Sequence, residues 1–178
     1  MEKKSVPTNA TNSSNETNTT DPRLSLQRLF IKQSSFDARK SHSILKQKWV
    51  PEGNIELKVN HAALDEENSF EVTLHLTFSM QSNKRLAYVA EITQAGIFEI
   101  ANFEKAQQEQ LLNAYCPTML YPFLREALSH MVTQGGFPQM LLAPINFDAM
   151  YAQQLAQQKT EAEKKEQVVI NNVSDVAH

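Results

Sequence analysis

The 178-residue chain is long enough for one domain with a hydrophobic core and marginal for two. Hydrophobic residues make up 41% of it and charged residues 21%, which is typical of a globular protein and excludes a disordered or fibrous one. Its 17 Lys and Arg against 20 Asp and Glu give a net charge of −3, so no general basic field is available for nucleic acid phosphates.

The chain also lacks the marks of a membrane or secreted protein. No run approaches the roughly 18 apolar residues of a membrane span, and no apolar stretch follows the two lysines near the N-terminus, as a secretory signal would require. The single cysteine, Cys116, excludes an internal disulfide and suits a reducing compartment. We therefore expect a cytoplasmic protein without direct membrane insertion.

Composition divides the chain into three parts. Residues 1–23 are almost all Asn, Thr, Ser, Glu and Lys, which predicts a disordered tail because such a stretch buries too little apolar area to offset its ordering entropy. Residues 157–178 are rich in Gln, Glu and Lys and predict a second polar tail. Residues 24–156 form the predicted domain.

The first half of this domain shows strand patterns. Residues 24–35 predict a strand with apolar residues on both faces, as in the middle of a sheet, and the aperiodic segment 38–53 predicts a crossing loop. Apolar and polar residues then alternate over 55–59 and, most clearly, over 69–80. With residues 86–93 these stretches predict an antiparallel meander.

Past Phe103 the apolar residues recur at helical spacing. This predicts a long helix with a break or kink near Pro117 and Pro122, ended by Gly135 and Gly136. Asn146 is placed to cap a second helix, whose apolar stripe is Phe147, Met150, Tyr151 and Leu155. Strands followed by helices indicate an α+β fold with the helices on one side of the sheet.

Two features point away from catalysis and toward binding. The five histidines show no metal-ligand spacing, and only four glycines leave no phosphate-cradling loop, so we expect no cofactor and no enzyme activity. An enzyme using Cys116 or His75 stays open as an alternative, although a buried structural thiol is the better interpretation. The apolar surface exceeds what one such unit can hide, which predicts an oligomer or a ligand groove. Trp49 either pins the crossing loop to the core or lines that groove with Tyr151.

Two long motifs, AYCPTMLYPFLREALSHMV over 114–132 and FPQMLLAPINFDAMY over 137–151, resemble the signature helices of the bacterial SecB family of protein-export chaperones. ITQAGIF over 92–98 and the segment 49–51 agree with it, and the resemblance spans about 24–154. It implies a four-stranded antiparallel sheet with a crossover loop after the first strand, two following helices, and a homotetramer built as a dimer of dimers.

The resemblance also implies a function. SecB-like chaperones hold unfolded precursor proteins without ATP and pass them to the SecA motor for Sec-dependent export. The positions that match the family's client groove are Trp49, Ile55, Leu57, Phe147 and Tyr151, and for Phe147 simple packing on the sheet is an equal expectation. The positions that match its SecA-binding face are Gln33, Asp37, Val89 and Glu91.

Gln33 departs from the family pattern, in which an acidic residue is usual, so SecA affinity is expected to be weaker here. The zinc of that contact belongs to SecA and not to this chain. A second interpretation shares the groove but not the clients: a SecB-like chaperone dedicated to one partner, such as the antitoxin of a toxin–antitoxin pair. Asp37, Val89 and Glu91 favour the SecA-coupled version.

Overall fold

The computed structural model describes residues 21–39, 41–158 and 160. Its first elements are β1 (Arg23–Asp37), α1 (Ser41–Ile44), β2 (Pro51–Ala63), β3 (Ser69–Ser82) and β4 (Arg85–Ala101). The four strands form one antiparallel sheet in the order β1-β4-β3-β2. The short helix α1 lies in the segment that crosses from one edge of the sheet to the other between β1 and β2.

The two central strands carry the core, as their alternating pattern predicts. On β3, every second side chain from Val72 to Met80 is buried, while the residues between them stay partly exposed. The meander of β2, β3 and β4 is confirmed, since neighbouring strands pair antiparallel in that order. The strands are longer than predicted, and Pro51 and Gly53 belong to β2 and not to the crossing segment. Proline is tolerated there because it is the first residue of an edge strand.

The prediction that the first strand lies in the middle of the sheet is wrong. β1 is an edge strand that pairs only with β4. Its register shifts between Leu26 and Arg28 and again between Ile31 and Gln33. Each shift reverses which residues point to the core, so the strand carries apolar side chains on both faces without being central.

One continuous helical stretch covers the sheet. It runs through α2 (Lys105–Gln110), a π-helical turn (Leu111–Tyr115) and α3 (Cys116–Gln134), and α3 packs on β4 and β3. The predicted break near Pro117 takes the form of this π-helical turn, in which the Cys116 N–H donates to the Leu111 carbonyl. Pro117 has no N–H to contribute to the next turn, so the change of helix type falls directly before it.

Both helix ends follow the predicted signals. α3 ends where Gly135 donates its N–H to the Met131 carbonyl at 2.9 Å, and Gly136 takes a φ of 81°. A last helix, α4, is described over 147–158, and Asn146 Oδ1 caps it by accepting the Ala149 N–H at 3.0 Å. In the described ranges, no helix combines the length and apolar character needed to cross a membrane.

The predicted tails meet the described residues only at their borders. Arg23 already pairs with Ala101, and residues 157 and 158 still belong to α4, so both folded elements extend slightly beyond the predicted domain. The helix continues there because Gln157 and Gln158 are good helix formers despite their polarity. The predictions for 1–20 and for 161–178 lie outside the described residues.

The close approach of α3 to β4 gives a test of the packing. A Cβ at Gly96 would lie 2.7 Å from Leu120 Cδ2 and 2.8 Å from Phe98 Cε2. Gly96→Ala should therefore lower the free energy of unfolding by about 1–3 kcal/mol through overpacking, measured by urea denaturation. Gly136→Asn is the control, because its Cβ has no neighbour within 4 Å and Asn tolerates a positive φ. A loss no larger at Gly96 than at Gly136 would contradict this packing.

Candidate functional site

Trp49 stands at the end of the crossing segment, just before β2. Its ring centroid lies 5.7 Å from that of Phe137, which lies 4.6 Å from Tyr88 in the core. The indole is half-buried, so one part is fixed by this aromatic cluster and another part remains open to solvent. Both interpretations of Trp49 therefore describe the same side chain: the residue anchors the segment and offers a fixed aromatic surface.

On β2, Ile55 and Leu57 continue this surface. They lie directly opposite Phe78 and Leu76 of β3, so they share the face of the sheet that carries the helices. Phe78 is 2% exposed, whereas Ile55 beside it is 47% exposed and Leu57 is partly buried. Because α3 packs on β3 and β4, the apolar side chains of β2 extend beyond its cover. We call Trp49, Ile55 and Leu57 the apolar strip.

The two predicted groove residues of α4 differ in exposure. Phe147 is 1% exposed and packs edge-on against Tyr121, with ring centroids 5.6 Å apart. It offers no surface to a ligand, and its contact with Tyr121 packs α4 against α3. Tyr121 also donates its hydroxyl to the Ala143 carbonyl at 2.5 Å, which fixes the connection that leads to α4. Tyr151, one turn later, is only partly buried.

Some exposed apolar residues were not predicted as part of the site. Val50 is 42% exposed directly after Trp49, and Met150 is exposed directly before Tyr151. No sequence pattern marks Val50 as a site residue, because a single valine in an aperiodic segment is common. The sequence marks Met150 only as a member of the apolar stripe of the second helix.

The other candidate residues lie together on the opposite face of the sheet. Asp37 lies opposite Val89, Gln33 opposite Thr93 and Ser35 opposite Glu91, so β1 and β4 present these alternate residues side by side. Ser35 Oγ donates to Glu91 Oε2 at 3.3 Å, and Asp37 Oδ2 pairs with Arg39 at 2.8 Å. The structure thus brings Gln33, Asp37, Val89 and Glu91 into one weakly acidic patch.

Cys116 and His75, the residues considered for catalysis, lie in surroundings typical of residues with a structural role. Cys116 is fully buried, and burial raises the pKa of its thiol to about 12, so the nucleophilic thiolate is scarce at neutral pH. His75 Nδ1 lies 2.8 Å from Thr93 Oγ1 within the sheet surface. Among residues 21–39, 41–158 and 160, no group of three or more His, Cys, Asp and Glu is placed to hold a metal ion.

Comparison with known proteins identifies a single protein family. The family model described as preprotein translocase subunit SecB matches residues 17–158. A protein-export protein SecB of Thioalkalivibrio sulfidiphilus is 48% identical over 132 residues, which cover 74% of this chain and 79% of the relative. One from Marinobacter nauticus is 41% identical over 145 residues, covering 82% of this chain and 87% of the relative.

A solved structure has a similar fold at low sequence identity. The SecB-like chaperone of Mycobacterium tuberculosis, in complex with a peptide of an antitoxin, superimposes with a TM-score of 0.59 at 13% identity. The superposition covers 69% of this chain and 91% of that one. At this identity the likeness supports the fold alone.

The contrast between Phe147 and Leu155 tests which part of α4 is structural. Phe147→Ala should cost about 3–5 kcal/mol of stability, because it leaves a cavity beside Tyr121. Leu155→Ala, on the same helix but 39% exposed, should cost much less. Urea unfolding of both variants at one protein concentration checks this. Equal stability of the two variants would show that α4 is not seated by Phe147.

Proposed function

The chain belongs to the SecB family of protein-export chaperones, and from this we propose that it holds unfolded precursor proteins in the cytoplasm without ATP and delivers them to SecA. The family is one of chaperones and not of enzymes. Its members' names refer to protein export, and the match covers residues 17–158. The observation that carries the proposal at the level of the site is the apolar strip, which this protomer leaves uncovered.

The strip has the properties that sequence-tolerant holding requires. Each client Leu, Phe or Val that it buries contributes roughly 1.5–3 kcal/mol before the cost of ordering the segment. β2 is also an edge strand, so its outward N–H and C=O groups are available to pair with an extended client backbone. Backbone pairing and apolar contact together favour unfolded chains over folded ones, because only unfolded chains expose both. A client held in this way neither folds nor aggregates before export.

We propose that the chain assembles as a homotetramer, a dimer of dimers. Two features of the protomer support assembly. β1 is a 15-residue edge strand, and such an edge pairs readily with a second strand. The outer side of the helical layer exposes Tyr115 and Phe123, at 50% and 45%. Large exposed aromatic side chains of this kind are typical of surfaces that meet a partner.

Delivery to SecA is assigned to the patch formed by Gln33, Asp37, Val89 and Glu91. Its carboxylates lie on the face away from the helices, so a cationic partner can reach them without displacing a client from the strip. Gln33 is uncharged and Asp37 is already paired with Arg39, which leaves Glu91 as the main carboxylate that attracts the partner. We therefore expect a contact that weakens strongly with salt.

A chaperone dedicated to one partner, such as an antitoxin, is the less favoured function. The neighbour that carries an antitoxin peptide is 13% identical to this chain, whereas the export proteins are 41–48% identical over most of its length. The apolar strip itself does not distinguish the two functions. A general export chaperone holds many unrelated precursors, and a dedicated one does not.

Removing the two half-buried aromatic side chains tests the client groove. Trp49→Ala together with Tyr151→Ala should weaken binding of an unfolded precursor by at least about tenfold, because each removes a fixed aromatic contact. Fluorescence anisotropy of a labelled precursor measures the affinity, and sedimentation confirms that the assembly is intact. Unchanged affinity in an intact assembly would place the groove elsewhere.

Reversing one charge tests the SecA patch. Glu91→Lys should reduce SecA affinity by about tenfold or more while leaving precursor binding within about twofold, since the two surfaces lie on opposite faces of the sheet. Glu104→Lys, the same reversal at the exposed start of α2, is the control and should change neither affinity. Equal loss of SecA and precursor binding in the Glu91 variant would indicate damage to the fold and not to a contact.

A further inference from the structure

The six-residue helix α2 is only weakly attached to the rest of the protomer. None of its side chains is buried, and its N-cap residue, Glu104, provides no side-chain cap. Its main contacts are with the π-helical turn that follows it and not with a strand. A helix of this length is not stable by itself in water. The position of α2 therefore depends on a few side-chain contacts.

Irregular backbone bounds α2 on both sides. Asn102, three residues before the helix, takes a φ of 62°, which lies in the left-handed region. On the other side, the π-helical turn over Leu111–Tyr115 interrupts the regular hydrogen bonding before α3 begins. Turns of this kind are places where helices bend, and they are frequent at functional sites. The backbone can therefore change direction at these two places while β4 and α3 keep their structure.

One cluster of polar side chains joins this region to β2. Glu109 Oε2 of α2 lies 3.8 Å from His61 Nε2 of β2, and Asn113 Nδ2 of the π-helical turn lies 3.4 Å from the same nitrogen. Asn113 Nδ2 also donates to the Glu109 carbonyl at 2.8 Å. In the described part of the chain, no other side chain of β2 forms a hydrogen bond or ion pair with α2, the π-helical turn or α3. We call His61, Glu109 and Asn113 the latch.

The latch lies beyond the end of the apolar strip. His61 is on the same face of β2 as Ile55 and Leu57, because alternate residues of a strand share a face. Four large apolar residues in this region are only partly buried, and we call them the end patch: Val59, Phe70, Phe103 and Leu111. Two of them flank α2 in the sequence, one before residue 104 and one after residue 110. The end patch thus continues the apolar strip toward α2.

We propose that α2 is a lid over the end patch, held closed by the latch, and that its opening extends the apolar strip for a longer client segment. This inference rests on the proposed function, since the ligand is the unfolded polypeptide that occupies the strip. With the lid closed, the apolar contacts end near Leu57. With the lid open, a client can follow β2 to its last residue, Ala63. Only a client long enough to reach the end patch gains from the opening.

The latch is weak enough to be reversible. The His61 side chain is 29% exposed and that of Glu109 is 44% exposed, so solvent screens their interaction. Removing contacts of this kind shifts an opening equilibrium by about fivefold at most. A client segment that binds only the open form has its apparent affinity reduced by the fraction of protein that is closed. Loosening the latch should therefore strengthen the binding of long clients.

The test compares two unfolded peptides of uncharged residues. The short one, of about seven residues, spans the strip, and the long one, of about thirteen, spans β2. His61→Ala with Asn113→Ala removes the latch and should raise the affinity for the long peptide by about threefold to fivefold. The affinity for the short peptide should stay within about twofold, both affinities being measured by fluorescence anisotropy. Hydrogen exchange of the amides of residues 105–112 should become faster.

Two further variants locate the effect. His42→Ala with Asn60→Ala is the matched control, since it removes one His from α1 and one Asn from the far face of β2, both outside the latch. It should change neither the two affinities nor the exchange. His61→Lys acts in the opposite direction, because a permanent positive charge beside Glu109 strengthens the pair. Exchange should then slow, and the long peptide should bind about twofold more weakly.

The outcomes separate the lid from the proposed function. An unchanged ratio of long-peptide to short-peptide affinity in the latch variant overturns the lid. Faster exchange of α2 without tighter binding of the long peptide also overturns it, because α2 then covers no binding surface. Equal weakening of both peptides, together with a lower free energy of unfolding in urea, shows that the latch only supports the fold. Failure of the wild-type protein to bind either peptide or any unfolded precursor overturns the chaperone function itself.

Discussion

The structure depends on one constraint: a single helical layer has to cover one face of a four-stranded sheet. α3 lies on β4 and β3 and leaves their inner side chains almost fully buried. β2 lies beyond that cover, and so Ile55 is 47% exposed although the Phe78 it pairs with is 2% exposed. An apolar side chain on this face is therefore buried under the helix and exposed beside it. The apolar strip is exposed because α3 packs mainly on β4 and β3.

The surfaces of the sheet carry different kinds of side chain. The helical face offers apolar contact and a free strand edge, and the far face of β1 and β4 carries the weakly acidic patch around Glu91. The end with the crossing segment is basic. The proposed function therefore assigns the holding of a client and its transfer to a partner to opposite faces of the sheet. The buried Cys116 contributes packing, in agreement with a family that binds polypeptides and does not transform them.

The elements that could be predicted from the sequence are those whose residue pattern follows directly from their local surroundings. Period-two alternation identified β3 because its two faces meet different surroundings, and Asn146 and Gly135 marked helix ends through local backbone chemistry. It misplaced β1, because register shifts near Arg28 and Gln33 put apolar residues on both faces of an edge strand. It could not separate buried Phe147 from partly exposed Tyr151, since both lie on one helical stripe and only tertiary packing distinguishes them. The hydrogen bond from Asn83 to the Lys48 carbonyl, between residues 35 positions apart, could also be found only in the fold.

The proposed roles of both faces depend on the ability of this chain to hold unfolded precursors without nucleotide. The most direct measurement dilutes a denatured, slow-folding precursor into buffer containing the purified protein and no ATP, and follows light scattering together with recovery of the folded precursor. We expect aggregation to be suppressed and refolding arrested once the protein is present at about one tetramer per precursor. Unchanged aggregation and refolding for several unrelated precursors would contradict it.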